Sequence, residues 1–288
     1  MKFSFVLVNY ADSWALISAC LKSVARAASV SGVEYEAIIV NNDPPEQAAD
    51  PETTKATKIV EVGRNIGFAR AVNLGIREAS GDFIVLINPD STLGDGFFEN
   101  VSSFLAGNPL VGVVGPRILD VDGAVQLSAR REFSFISGLF GRTSLLTRLL
   151  PESRFVRDHF PATTTESPSP VDWVSGACMV IRRSVFERVG LLDERFFMYF
   201  EDADLCRRAR EAGYEVFHLP QVVVVHDAGG STSSHPLAVF RLHRSAFLYH
   251  RKYGRHGPFG VLSLLVAVGL AARAVAGLAA HLLRSEAH

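Results

Sequence analysis

The sequence predicts one α/β domain built on a mostly parallel sheet, and three observations support this. Short apolar runs alternate with longer amphipathic stretches, which is the pattern of βαβ units. Hydrophobic residues make up 48% of the 288 residues, which is enough to fill one large core. Polar clusters follow the apolar runs, and open α/β sheets bind their ligands beyond the carboxyl ends of the strands. We therefore expect one binding site at that edge of the sheet.

The predicted elements follow one another in order along the chain. In the first part, strands are expected at 3–8, 35–40, 59–62 and 83–87, and helices at 14–28, 68–79 and 97–105. Beyond Pro116 the alternation ends, and an irregular insert is expected at about 131–170. Order resumes with a strand at 171–181 that contains a glycine bend. A helix beginning at Glu201 and a buried strand at 222–225 complete the domain.

Composition argues against several other classes of protein. The net charge of -1, from 29 basic and 30 acidic residues, gives no general attraction for polyanions, and no nucleic-acid partner is expected. The three cysteines have no paired spacing, which argues against a disulfide framework or a zinc site and favours a reducing compartment. The first apolar run is too short for a signal peptide, so no export is expected.

Three acids, Glu201, Asp202 and Asp204, stand at the start of a predicted helix directly after the aromatic segment 196–200. A helix N-terminus favours negative charge because its first amides lack partners. Carboxylates beside aromatic rings are costly to bury unless they meet a cation, a metal or a substrate hydroxyl. The alternative is a helix cap with solvated acids.

Polar clusters end the predicted strands: Asn9-Tyr10, Asn41-Asn42-Asp43 and Asn88-Pro89-Asp90. Asp90 could hold a divalent cation, because Mg²⁺ takes one or two carboxylates and completes its shell with phosphate oxygens and water. The alternative is a turn in which Asp90 caps the next segment. His226 ends the strand at 222–225 and could add a nitrogen ligand to the same metal, although a lone histidine there is more often structural.

The helix after Gly67 carries Arg70, Asn73 and Arg77 at helical spacing, so one face presents two cations and an amide. This face could meet a diphosphate, or Gly67 could only shape a turn beside solvated arginines. The dinucleotide fingerprint G-x-G-x-x-G is absent from this loop, which disfavours a dehydrogenase. Trp173 could lie against a sugar or fill the core.

In their order along the chain, these motifs resemble those of glycosyltransferase family 2, whose inverting members have the GT-A fold, a single nucleotide-binding α/β domain. The resemblance runs from Phe3 to about Ser233 and is carried by Val8-Asn9-Tyr10, Asn41-Asn42-Asp43, Asn65-Ile66-Gly67-Phe68-Ala69, Asn88-Pro89-Asp90-Ser91, Trp173-Val174-Ser175-Gly176, Asp193-Glu194-Arg195-Phe196-Phe197-Met198-Tyr199 and Glu201-Asp202-Ala203-Asp204-Leu205. Within the family the chain is most similar to bacterial rhamnosyltransferases, including those that add rhamnose to a polyprenyl-diphosphate-linked N-acetylglucosamine. Ser128-Ala129-Arg130 after Asp122-Gly123 adds to this likeness.

The resemblance implies a role for each motif. Asp90, with His226, would bind Mg²⁺ or Mn²⁺ on the donor diphosphate, and Asn88 stands where the family's D-x-D motif has an acid. Asp202 would take the proton from the acceptor hydroxyl, and Glu201 would orient it. The implied donor-binding residues are Asn9, Tyr10, Asn42, Asp43, Asn65, Gly67, Arg70, Asn73 and Asn88, and the implied acceptor-binding residues are Trp173, Gly176 and Arg130.

The implied substrates are a nucleotide-sugar donor, with dTDP-rhamnose favoured, and a lipid-linked or glycan acceptor. Galactofuranose or N-acetylglucosamine from a UDP donor is the alternative. A non-catalytic binding module is also possible, but it would have no need for both Asp90 and Asp202. A nucleotidyltransferase would carry a glycine-rich basic loop after the first strand, where this chain has Asn9-Tyr10-Ala11-Asp12.

The last 53 residues, 236–288, form a second predicted region after the catalytic domain at 1–235. No acid occurs between Asp227 and Glu286, and a basic stretch precedes the apolar run 259–283. Ser263, Arg273 and His281 fall on one stripe of a helical wheel. We therefore expect a helix that attaches to anionic lipid on the cytoplasmic face of the plasma membrane, in preference to one that spans it.

Overall fold

A computed structural model describes residues 1–44, 57–130, 166–227 and 236–254, and the structural statements below concern these residues. The helices are α1 (Trp14–Ser31), α2 (Phe68–Glu78), α3 (Phe97–Gly107), α4 (Arg183–Val189), α5 (Glu201–Glu211) and α6 (Pro236–Tyr253). The strands are β1 (Lys2–Asn9), β2 (Glu34–Asn41), β3 (Thr57–Glu61), β4 (Phe83–Ile87), β5 (Ser91–Leu93), β6 (Val111–Leu119), β7 (Ala129–Arg130), β8 (Ser169–Pro170), β9 (Trp173–Val174), β10 (Cys178–Arg182) and β11 (Glu215–His226).

The main sheet has nine described strands in the order β3-β2-β1-β4-β10-β6-β11-β5, with β8 paired to β11. The strands β1, β2, β3, β4, β6 and β11 point the same way, whereas β5, β8 and β10 run against them. The predicted α/β fold with a mostly parallel sheet is therefore confirmed. The carboxyl ends of β1, β2, β4 and β11 meet at one edge of the sheet, as expected for a ligand site.

Two predictions about strands are corrected. The segment 171–181 is not one bent strand, because a turn at Ser175-Gly176 separates β9, which pairs with β7, from β10, which lies between β4 and β6. Strand β6 is central in the sheet although its glycines and Pro116 interrupt the apolar pattern. A Cβ on Gly112 would lie 2.7 Å from Val185, and one on Gly115 would lie 2.5 Å from Val174, so close packing requires these glycines.

The core lies on both faces of the sheet. One face is covered by α1 and α3 and is rich in aromatic rings, such as Phe3, Phe5, Phe97 and Phe98. The other face is covered by α2, α4 and α5. Tyr249 of α6 is buried on this second side, so α6 is packed against the domain.

Within the described ranges, no helix has both the length and the apolar character needed to cross a bilayer. The predicted membrane helix at 259–283 and most of the predicted insert, 131–165, fall outside the described residues. The domain boundary at 235 and the attachment to lipid stay predictions.

Candidate active site

A network of amides and two carboxylates closes the carboxyl ends of β1 and β2. Asn9 Nδ2 donates to Asn41 Oδ1 at 2.8 Å and to Asp43 Oδ2 at 3.3 Å. Asn9 Oδ1 accepts from the backbone N–H of Ser13 at 3.0 Å, and Asn41 Nδ2 donates to Glu61 Oε2 at 2.7 Å. Asn41 is thus bonded through both ends of its side-chain amide.

The turn after β1 has an unusual backbone that Asp43 holds in place. Ala11 and Asp12 have φ values of 54° and 58°, in the left-handed region that residues with a Cβ seldom adopt. Their N–H groups donate to the two carboxylate oxygens of Asp43 at 3.0 and 3.1 Å. Tyr10, beside this turn, is exposed. The predicted donor residues Asn9, Tyr10 and Asp43 therefore lie together.

Asn42 connects this network to the loop before α2. Its Oδ1 accepts from the N–H of Ile66 at 2.9 Å, and its Nδ2 donates to Asn65 Oδ1 at 3.2 Å. Gly67 follows with a φ of 91°, and a Cβ there would lie 2.7 Å from the ring of Phe197. Glycine is needed at this position for both reasons.

The polar face of α2 is occupied by another part of the chain. Asn73 donates to the carbonyl of Leu192 at 2.9 Å and accepts from its N–H at 3.0 Å. Arg70 and Arg77 approach Glu194 at 3.5 and 3.9 Å. The structure therefore places this face against the Leu192–Glu194 segment, and the donor roles of Arg70 and Asn73 stay predictions.

The Asn88-Pro89-Asp90 motif lies beside His226 at the ends of β4 and β11. Asp90 Oδ1 is 3.2 Å from His226 Nε2, and Asn88 Nδ2 is 3.3 Å from the same nitrogen. Gln126 fixes the tautomer of the ring. Its Nε2 donates to Asp120 Oδ1 at 2.9 Å and to the carbonyl of His226 at 2.8 Å, so its Oε1 must accept from His226 Nδ1, 3.0 Å away.

In the neutral form of the ring, the proton on Nδ1 leaves a lone pair on Nε2, so Nε2 and Asp90 Oδ1 are then both acceptors. Asp90 Oδ1 is buried and has no hydrogen-bond donor among the described residues. An oxygen ligand from Asp90 and a nitrogen ligand from His226, side by side, fit a divalent cation. The side-chain oxygen of Gln126 supplies the orienting hydrogen bond that metal-binding histidines have. No three His, Cys, Asp or Glu residues cluster as a metal site in the part of the chain that the structure describes. Phosphate oxygens and water would have to complete the shell.

The predicted catalytic base, Asp202, and its neighbour Glu201 stand at the first turn of α5. Asp202 Oδ2 accepts from the N–H of Gly176 at 2.9 Å, and its Oδ1 accepts from the N–H of Ala203 at 2.8 Å. Glu201 is 6% exposed, and its Oε2 has no hydrogen-bond partner within the described ranges. Glu201 and Asp204 are buried and Asp202 is partly buried, so this helix start is not a cap of solvated acids.

Burial dominates the protonation of this pair. Burial raises the pKa of the Asp202 carboxyl, against the Gly176 and Ala203 amides and the Arg130 charge, which lower it. Burial, reinforced by the charge of Asp202, raises the pKa of the Glu201 carboxyl well above its ordinary value. The carboxyl groups of Glu201 and Asp202 therefore ionise less readily than free acids do.

The Gly176-Ala177 dipeptide links the two halves of the site. The N–H of Gly176 holds Asp202, and the carbonyl of Ala177 accepts from the N–H of Asn88 at 2.9 Å. The base helix and the Asn88-Pro89-Asp90 motif are thus attached to adjacent residues. That Asp90 and Asp202 face one cleft stays a prediction.

The chain matches the family model described as "Glycosyltransferase like family 2" over residues 2–246. It belongs to this family. The N-acetylglucosaminyl-diphospho-decaprenol L-rhamnosyltransferase of Mycobacterium tuberculosis is 33% identical over 67% of this chain and 66% of its own length. The dTDP-rhamnosyl transferase RfbF of Shigella flexneri is 24% identical over 67% of this chain and 63% of its own length. The chain thus spans about two thirds or less of these relatives.

Solved structures agree in fold. The mannosyltransferase PcManGT from Pyrobaculum calidifontis, in complex with GDP-Man and Mn²⁺, superposes with a TM-score of 0.57 at 19% identity, covering 99% of this chain and 79% of that one. GalNAc-T7 with UDP, GalNAc and Mn²⁺ gives a TM-score of 0.57 at 17% identity, covering 92% of this chain and 53% of that one. The predicted GT-A fold is confirmed by these likenesses.

The predicted acceptor residues of this family 2 protein lie beside the base. The Arg130 guanidinium is 4.8 Å from the ring centroid of Trp173, and these residues pair across β7 and β9. Trp173 is 9% exposed, so most of it packs in the core, which is the alternative that the sequence left open for this residue. A Cβ on Gly176 would lie 3.7 Å from the Asp202 side chain. The roles of the three in acceptor binding stay predictions.

Gln126 and Lys252 were not anticipated from the sequence. Gln126 lies within a short polar and apolar stretch that has no motif, and its contact with His226 spans 100 residues. Lys252 belongs to the basic stretch before the apolar run, and the structure shows that it reaches Asp193 and the buried Asp204 of α5. The burial of Gln126, which is 8% exposed, is visible only in the folded structure.

Proposed function

We propose that this chain is an inverting glycosyltransferase that moves L-rhamnose from dTDP-rhamnose to a hydroxyl of a lipid-linked or polysaccharide acceptor in cell-envelope glycan synthesis. One observation carries the proposal. The Asp202 carboxylate is fixed by the Gly176 amide, and the adjacent residue Ala177 binds Asn88 of the Asp90–His226 cluster. This connection supports the proposal that a base and a diphosphate-binding site face one cleft.

The reaction is a single displacement at the anomeric carbon. Asp202 takes the proton of the acceptor hydroxyl while that oxygen bonds to C1 and the bond from C1 to the diphosphate oxygen breaks. The electron pair leaves with the nucleoside diphosphate, and the configuration at C1 inverts. General-base help of this kind contributes about 10²–10⁴-fold. The amides of Gly176 and Ala203 hold both carboxylate oxygens, so the side chain needs little reorganisation.

Asp90 and His226 would hold a divalent cation, Mg²⁺ or Mn²⁺, on the donor diphosphate. Such a cation supplies positive charge where the leaving diphosphate gains negative charge. Gln126 keeps the lone pair of His226 directed toward that position. Both structural neighbours named above were crystallised with Mn²⁺, which supports the choice of a divalent metal.

The choice of rhamnose rests on the relatives. The mycobacterial relative is named for rhamnosyl transfer to a decaprenol-linked diphospho-sugar, and the Shigella relative for dTDP-rhamnosyl transfer. Asn9, Asn42 and Asp43 would line the nucleotide pocket. A donor screen tests this directly, because a ligand that binds the folded state raises its Tm. With Mg²⁺ or Mn²⁺ present, dTDP-rhamnose should protect and should be consumed when a polyprenyl-diphospho-N-acetylglucosamine is added. Protection by UDP-galactofuranose or UDP-N-acetylglucosamine alone would replace rhamnose as the transferred sugar.

We also propose that the protein sits on anionic lipid at the cytoplasmic face of the membrane. On α6, Leu237 and Phe240 are 55% and 58% exposed, and Arg244 on the same helix is also exposed. An amphipathic basic helix of this kind binds interfaces through apolar insertion and charge. Sedimentation with vesicles that contain phosphatidylglycerol tests it. Leu237→Gln with Phe240→Gln should weaken binding, and equal binding to neutral vesicles would contradict it.

A further inference from the structure

Helix α6 contacts the segment that leads into the catalytic pair. Ser245 Oγ donates to the carbonyl of Met198 at 2.7 Å. The Arg241 guanidinium lies 4.2 Å from the ring centroid of Phe197, and the rings of Phe200 and Tyr249 are 5.5 Å apart. Successive turns of α6 thus touch successive residues before Glu201.

That segment has a backbone that needs support. Tyr199 and Phe200 both have a φ of 69°, and Phe200 is the residue directly before α5. Non-glycine residues seldom adopt the left-handed region, and they persist there where the surrounding structure over-determines them. Because Glu201 and Asp202 come next in the chain, this turn decides where their carboxylates point.

An ion cluster fastens the C-terminal end of α6 to α5. Lys252 Nζ donates to Asp204 Oδ1 at 2.5 Å and to Asp193 Oδ2 at 2.7 Å. Asp204 is fully buried, and it also accepts from the Tyr253 hydroxyl at 2.7 Å and from Arg208 Nε at 2.8 Å. A buried carboxylate with matched partners holds its neighbours strongly in one arrangement. Asp204 lies two residues beyond Asp202 on the same helical turn.

We propose that α6 is a clamp that holds the strained turn at Tyr199–Phe200 and the first turn of α5, so that Lys252 is a positioning residue for the Asp202 carboxylate. The inference rests on the proposed function, in which Asp202 is the base. Lys252 touches neither the donor residues nor Asp202 in the described contacts, and it acts through Asp204. A small displacement of a catalytic group lowers turnover steeply, since about 1 Å can cost 10²-fold.

The test is Lys252→Met in the full chain, which removes the charge and keeps most of the side chain. Turnover of the saturated enzyme should fall about 10- to 100-fold. The KM for the donor should change less than about twofold, because Asn9, Asn42, Asp43 and Asp90 stand at the ends of β1, β2 and β4 and have no contact with Lys252 among the described residues. Hydrogen exchange in the peptide that covers 196–206 should accelerate. Lys252→Arg, which keeps a cation, should recover part of kcat.

Lys58→Met is the matched control, since Lys58 pairs with Glu78 at the surface and is distant in sequence from the turn. It should leave kcat and exchange at 196–206 unchanged. If Lys252→Met unfolds the protein, Ser245→Ala removes only the bond to Met198 and should lower kcat with the same exchange signature. Unchanged kcat in Lys252→Met, or a lower kcat without faster exchange at 196–206, overturns the clamp. Absence of transfer by the wild-type protein with every donor would instead overturn the proposed function, and the exchange comparison would still decide whether α6 holds the turn.

Discussion

The carboxyl ends of β1 and β2 differ from the start of α5 in how their polar groups are satisfied. At the donor end, Asn9, Asn41 and Asp43 hydrogen-bond to one another and to the turn after β1. At the start of α5, the buried Glu201 stands next to the partly buried Asp202, and Glu201 Oε2 has no partner within the described ranges. The first region is an internally bonded cradle around the Asp43 carboxylate, and the second holds a buried carboxylate oxygen without a partner. Both regions contain non-glycine residues at positive φ, Ala11 and Asp12 in the first and Tyr199 and Phe200 in the second. The proposed donor binding depends on the first region and the proposed proton transfer on the second.

The largest expected effect separates the two regions outright. Asp202→Asn keeps the shape of the side chain and removes the base, so transfer should fall about 10²–10⁴-fold. Metal-dependent protection of the folded state by the donor should persist, because the cradle is untouched. The control is Asp95→Asn, an exposed acid beside Arg26, which should transfer normally. Turnover of the purified Asp202→Asn protein near the wild-type rate would remove Asp202 from the mechanism.

The next effect tests the contact between the regions. Gly67→Ala forces a Cβ to 2.7 Å from the Phe197 ring at a φ of 91°, so the free energy of unfolding should fall by about 2–4 kcal/mol. Gly63→Ala is the matched control, because Gly63 has a φ of 76° and nothing within 4 Å of its Cβ. Its loss should be limited to the backbone strain, about 1 kcal/mol. Urea unfolding of the two variants measures the difference, and equal losses would mean that the Phe197 contact is loose.

A smaller effect tests the orientation of His226 at the edge of the sheet. Gln126→Leu removes the acceptor that holds the proton on Nδ1. The affinity for Mn²⁺, measured by calorimetry in the presence of a nucleoside diphosphate, should fall about 10- to 100-fold. Nucleoside diphosphate binding without metal should be unchanged, which separates this effect from general damage. An unaltered Mn²⁺ affinity would show that the ring keeps its orientation without Gln126.

The smallest effect measures what the charged region gives up. Because the folded-state pKa of Glu201 lies above its unfolded value, the protonated side chain contributes stability that is lost as the pH rises through the folded pKa. Glu201→Gln cannot ionise, so its Tm should exceed that of the wild type by a few degrees at pH 8, with a smaller difference at pH 5. Glu187→Gln, at an exposed position on α4, should show no such trend. A Tm gap that does not grow with pH would contradict the buried ionisation.

The raised pKa of Asp202 also gives the activity a direction. An ordinary aspartate ionises near pH 4. Because the base must be ionised and the pKa of Asp202 is raised, a pH profile of turnover should rise at a pH above that ordinary value.

Local patterns predicted much of this molecule, and the failures have physical causes. Strands β1 to β4 and helices α1 to α3 follow from apolar periodicity, and the start of α5 follows from the acids at its first turn. Strand β6 was missed because its glycines serve close packing against Val174 and Val185, which leaves a weak apolar signal. The site residues were found as types at strand ends. Their partners Gln126 and Lys252 were not, since these contacts join segments 100 and 48 residues apart.

The bond from Ser245 to Met198 has a practical consequence for anyone who shortens this protein. Removing residues from 259 onward to aid crystallisation leaves α6 whole, whereas a cut at 235 would delete the support of the turn at Tyr199. We expect a protein cut at 235 to bind its nucleotide and yet turn over poorly. Its low turnover would be mistaken for the use of a wrong substrate.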